Sequence, residues 1–120
     1  IYNIGKNEFA GIILTNTHKV SNPEPGGLSG KPIFQMSNLR LEWAWEVHQG
    51  KMPMIGVGGI LTGKDVFEKI RRGACAVQIY SALIYRGPWV VDLILNELHE
   101  ELKRTGYNTI SQVLGSYYSK

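Results

Sequence analysis

Short apolar runs alternating with amphipathic stretches predict an α/β fold with a parallel sheet. The segment reads as about the last three β/α units of a (β/α)8 TIM barrel. Three observations carry this reading. The alternation is that of strands joined by crossover helices. The runs close on small or hydroxylated residues, at Thr15-Asn16-Thr17, Gly58-Gly59 and Tyr80-Ser81. Only three such runs occur in 120 residues, whereas a complete barrel takes about 250. The expectation is one incomplete barrel segment, residues 1–120. It would have an open edge and an unclosed core without the strands upstream of it. It opens on Ile1-Tyr2-Asn3 with no initiator Met, signal peptide or transit peptide.

Phe9 to Thr15 is apolar and β-branched, as a strand buried on both faces requires. Thr17 to Phe34 is rich in Gly, Pro, Ser and Asn and reads as a long loop. Ser37 is placed to cap a helix carrying Leu39, Trp43 and Val47 along one face, and Gly50 suits its C-terminal end. Pro53 to Val57 forms the second strand. Thr62 and Asp65 have capping-box spacing ahead of Val66, Phe67 and Ile70, and Gly73 ends that helix. Ala74 to Tyr80 forms the third strand. A helix follows from Pro88 to Arg104, with Val91, Leu95, Leu98 and Leu102 inward and Gly106 past its end. Thr109 to Leu114 suits a short final helix.

The formal charge is +3 and dispersed. Lys69, Arg71 and Arg72 cluster where a helix ends, and the helix dipole accounts for cations there. No aromatic stacking platform accompanies them, so no nucleic-acid partner is expected. The single cysteine, Cys75, reads as a small buried hydrophobe, and no metal is expected because ligand spacing is absent. No apolar run approaches the ~18 residues of a membrane span.

Gly58-Gly59 directly after a strand suits a phosphate held by backbone N–H groups, and equally a tight turn. Tyr80-Ser81 at the adjacent strand end favours the phosphate, since barrel phosphate sites use neighbouring strand ends and Ser81 supplies a hydroxyl. Asn16 and Thr17 either form a side-chain turn or read an amide or carboxylate edge. Ser29-Gly30 is either a loop turn or a backbone contact to a ring. His48 and His99 read as surface residues on helices. His18 is a weak candidate for proton transfer.

Taken together these motifs resemble dihydroorotate dehydrogenase, in its class 2, quinone-linked branch. The resemblance runs through Leu14-Thr15-Asn16-Thr17, Gly26-Gly27-Leu28-Ser29-Gly30-Lys31-Pro32 and Pro53-Met54-Ile55-Gly56-Val57-Gly58-Gly59. It continues through Glu68-Lys69-Ile70-Arg71-Arg72-Gly73-Ala74 and Val77-Gln78-Ile79-Tyr80-Ser81-Ala82-Leu83. It implies an FMN enzyme of pyrimidine synthesis that oxidises dihydroorotate to orotate and passes electrons to ubiquinone. By that resemblance Thr15, Gly30, Gly58 and Gly59 contact FMN, Tyr80 and Ser81 hold its phosphate region, and Asn16 and Thr17 bond the orotate ring. The catalytic base, a serine in class 2, is expected upstream, so no catalytic residue is expected within this segment. The helices that form the quinone tunnel and touch the membrane are expected upstream too. The resemblance implies the mitochondrial inner membrane, or a bacterial cytoplasmic membrane. The sequence departs from the pattern in the stretch from Thr17 to Gly26, which is short, with His18 where threonine is common. Two other readings stay open: another FMN- or phosphate-binding barrel enzyme, and a non-catalytic fragment acting only with a partner chain.

Overall fold

The computed structural model describes residues 9–119. Ile1 to Glu8, with the chain start discussed above, lie outside the described residues. Three parallel strands form the main sheet in the order β1 (Ile12–Leu14), β4 (Met54–Val57), β5 (Ala74–Gln78). Ile13 pairs with Ile55, and Gly56 with Val77. Sequential neighbours pairing in parallel is the topology of consecutive barrel units. The crossovers are α1 (Phe34–His48) and α2 (Gly63–Arg71). After β5 come α3 (Ser81–Arg86), α4 (Val90–Thr105) and α5 (Ile110–Val113).

The stretch predicted as a loop from Thr17 to Phe34 contains structure. His18–Val20 (β2) and Gly26–Leu28 (β3) pair antiparallel, and a 3-10 turn over Lys31–Ile33 leads into α1. Each strand of this hairpin is three residues long and two of the three residues of β3 are glycine, so neither gives a periodic signal. Helix α3 carries no sequence signal either; six residues are too few to show a helical stripe.

The core lies between the sheet and its helices. Leu14, Leu41, Ala44, Met54 and Ala74 pack in one cluster. Ile60, Val66, Phe67, Ile70, Val90, Ile94 and Leu98 are among the members of the other. Two predicted helix faces are corrected. In α1 the buried residues are Ser37, Asn38, Leu41 and Ala44, while Leu39, Trp43 and Val47 are exposed. In α4 Val90, Ile94 and Leu98 face inward, Leu102 packs at the margin, and Val91 and Leu95 are exposed. Both helices are apolar on more than one side, so periodicity alone offers two stripes and cannot choose. Helix α4 also begins at Val90, with Pro88 two residues ahead of it.

The strands are not buried on both faces. Ile13 is 56% exposed, and Cys75, predicted buried, is exposed as well. Helices cover one side of the sheet; the other side is open among the described residues. Lys69 lies in the last turn of α2, as expected, and its side chain is fully buried. Arg72 instead joins Glu42 of α1, at 2.8 Å, to Glu68 of α2.

Candidate functional site

At the C-terminal ends of the three parallel strands the chain forms a cleft of about 290 Å³. Thr15, Asn16, Thr17, Gly30, Gly58, Gly59, Tyr80 and Ser81 all line it. The structure thus gathers every residue singled out for cofactor or substrate contact, from four separate stretches of sequence. The parallel pairing aligns Leu14 with Gly56 and Val57 with Gln78, so the residues that follow each strand open onto one rim. The hairpin delivers the fourth stretch. Its antiparallel strands leave from Thr17 and return at Ser29, so the chain comes back to the rim it left.

Backbone dominates the floor. Gly30, Gly58 and Gly59 have φ of +78°, +112° and +73°, a region that favours glycine. A Cβ on Gly30 would enter the gap towards Ser81 and Tyr85, 3.8 Å from each. Gly59 is glycine for a different reason: a Cβ there would lie 2.5 Å from Phe34 Cβ and 2.6 Å from Phe34 Cα. The turn after β4 therefore presses on the first residue of α1. On the rim, Ser81 Oγ donates to Ser29 Oγ at 3.1 Å and bridges two loops. Tyr80 is 77% exposed at the mouth of the cleft. Asn16 Oδ1 accepts from Thr17 N at 2.7 Å. That bond reaches only the next residue, one short of the span of an Asx turn, and it orients the carboxamide at the mouth.

Beneath the cleft the loop Ile60–Thr62 is tied down. Asp65 accepts from Leu61 N at 2.9 Å and Thr62 N at 3.1 Å, while Thr62 Oγ1 accepts from Asp65 N, completing the predicted capping box. Lys31 Nζ reaches Asp65 at 2.7 Å and lies over the Phe34 ring. Arg86 of α3 donates to Leu61 O and to Glu97, and Glu97 accepts from Gly63 N. The hydrogen bond from Arg86 holds the Glu97 carboxyl below its ordinary value.

Two side chains below the cleft were not recognised from sequence. Ser37, predicted as a helix cap, lies inside α1, donates to Val57 O and accepts from Lys69 Nζ at 2.6 Å. Burial, helped by Arg72 and Lys31 and opposed by Asp65, pulls the Lys69 ammonium down to about 7. A signal existed, since Lys69 follows Val66 by three residues and so shares its inward face. His18 lies outside the main cleft, in a neighbouring pocket with Met36 and Arg40. Among the described residues no acidic, His or Cys cluster is arranged to hold a metal.

A glycine-floored, hydroxyl-rimmed cleft at the carboxyl ends of parallel strands places the chain in the β/α-barrel class. The family model for dihydroorotate dehydrogenase matches residues 4–102, and the chain belongs to that family. It is 42% identical over 120 residues to the dihydroorotate dehydrogenase (quinone) of Myxococcus xanthus, covering 94% of this chain and 33% of the relative. It is 43% identical over 114 residues to the mitochondrial dihydroorotate dehydrogenase (quinone) of Mus musculus, covering 88% of this chain and 29% of the relative. The crystal structure of the Eimeria tenella DHODH in complex with ferulenol superimposes with a TM-score of 0.92 at 32% identity, covering 100% of this chain and 34% of that one. The chain spans about a third of the length of these relatives.

Proposed function

We propose that this chain is the C-terminal part of an FMN-binding β/α barrel that oxidises dihydroorotate to orotate with a quinone as acceptor. The observation that carries the reading is the cleft itself: eight residues chosen from sequence converge on one strand-end site in a chain of this family. The fit to FMN rests on the floor. Gly30 leaves the gap towards Ser81 and Tyr85 open, Gly58 and Gly59 let the chain turn tightly over Ser37 and Phe34 while lining the cleft, and Ser29 and Ser81 add hydroxyls. Gly30, Gly58, Gly59, Tyr80 and Ser81 hold the phosphate end, and Thr15 meets the flavin. When bound, FMN supplies the hydride-accepting redox chemistry. Asn16 and Thr17 orient the substrate ring with paired donors and acceptors. The proton-abstracting base comes from the upstream part of the barrel, and this chain's contribution is position and electrostatics. The open face of the sheet is where the remaining strands close the core.

The membrane assignment follows the relatives named as quinone enzymes, mitochondrial in mouse and also found in bacteria. No helix among the described residues is long and apolar enough to cross a membrane.

The test is the visible absorption spectrum of the whole barrel carrying this chain, before and after anaerobic dihydroorotate. A flavin band that bleaches is expected. A flavin band indifferent to dihydroorotate rejects the substrate and keeps a flavin barrel. A folded protein without flavin rejects the cofactor.

A further inference from the structure

The floor of the cleft rests on a buried basic side chain. Lys69, in the last turn of α2, is fully buried, and its Nζ donates to Ser37 Oγ at 2.6 Å. Ser37 in turn donates to the carbonyl of Val57, the last residue of β4. Gly58 and Gly59 come next in the chain and line the cleft. A Cβ on Gly58 would lie 3.2 Å from both Cβ and Oγ of Ser37, so the turn sits directly on the serine that Lys69 holds. The Phe34 ring, 5.0 Å from Lys69 Nζ, completes the support.

We propose that Lys69 is a positioning residue for the Gly58-Gly59 turn and the buried counter-charge of a phosphate group held there, so that phosphate binding draws a proton onto its amine. This rests on the reading of the cleft as the phosphate site of FMN. The surroundings leave the charge open to control. Helix α1 presents Ser37 and the Phe34 ring, the turn before it brings Lys31, α2 brings Asp65, and the residue just past its end is Arg72. The Asp65 carboxylate is already engaged by Lys31 and two backbone amides. With its ammonium pulled to about 7, Lys69 is divided between its charged and neutral forms at neutral pH. An anion bound above it favours the charged form. A rise of about one pKa unit on binding makes affinity fall about tenfold as pH climbs through that range.

The whole barrel, stripped of flavin, is titrated with FMN and with riboflavin, which lacks the phosphate, from about pH 7 to 9. Over this range the phosphate of FMN, with a second pKa of about 6, stays mostly dianionic. FMN affinity should fall about fivefold over this range, half of the tenfold limit, and riboflavin affinity should hold level. Lys69→Met should flatten the FMN profile at the weaker value. If it binds FMN with the parent's affinity and slope, the role is overturned. Should that variant not fold, calorimetry of FMN binding to the parent in two buffers of different ionisation enthalpy decides: proton uptake near neutral pH supports the role, and none overturns it. A parent that binds no flavin overturns the cofactor reading and this role with it, whereas FMN binding without a pH slope overturns the role alone.

Discussion

Gly59→Ala should destabilise the protein through helix α1 rather than by filling the cleft. A sequence argument for this glycine invokes close approach of a phosphate. The structure points its missing Cβ at Phe34, 2.5 Å from Cβ, 2.6 Å from Cα and 2.7 Å from N. Two costs add. A side chain at φ +73° pays about 1–2 kcal/mol for the left-handed conformation. The overlap falls on backbone, so the start of α1 must move, at a cost of about 1–3 kcal/mol. The sum is about 2–5 kcal/mol, a large share of the ~5–15 kcal/mol that a domain has in hand. Gly106, at φ +82° with nothing within 4 Å of its missing Cβ, is the control, and Gly106→Ala should cost only the first amount. Urea unfolding of both variants measures the difference. Equal destabilisation would refute the contact with α1. The Gly59 variant should also lose flavin, because the displaced turn carries the backbone that forms the floor.

Asn16→Ala should retain flavin and lose about 1–3 kcal/mol of orotate affinity, the usual penalty for a polar partner left unsatisfied; a direct orotate titration checks it. Thr62→Ala removes the acceptor for Asp65 N in the capping box and should cost about 1 kcal/mol in urea unfolding with little change in flavin content. Stability should rise with pH above neutrality. The unfolded chain keeps the Lys69 proton up to its ordinary 10.5, the native chain releases it near 7, and the unfolded state therefore binds more protons in that window. The slope should approach about 1 kcal/mol per pH unit in urea unfolding and be lost in Lys69→Met.

The strands, the three long helices and the cleft residues were legible because each is written locally. Strand ends announce themselves by a change from apolar to small residues, and adjacency follows from the parallel order. What was not legible depends on partners distant in sequence. Trp43 and Leu41 are both apolar residues of one helix, and only packing against Met54 and Ala74 selects Leu41 for the core. The hairpin was hidden because its strands are short and glycine-bearing. Ser37 and Lys69 were hidden because a polar residue on an inward face reads as a cap or a solvated end until its partner, 32 residues away, is seen.

That pairing also explains why α1 matters to the site without lining much of it. Its first turn receives the Gly58-Gly59 turn against Phe34 and the end of β4 against Ser37. Its third turn carries Glu42, which holds Arg72 beyond the end of α2. Helix α2 returns the connection through Lys69, and its opening turn packs so closely on α4 that a Cβ on Gly63 would lie 2.2 Å from Leu98 N. The cleft floor is thus clamped from below by two crossover helices that are themselves cross-linked. Backbone amides aimed at an anion work only while they are held still, and here the holding is done by ordinary core contacts. Substitutions at Phe34, Ser37 or Lys69, none of them at the glycines themselves, should therefore be felt at the cleft as loosened binding before they are felt as loss of the fold.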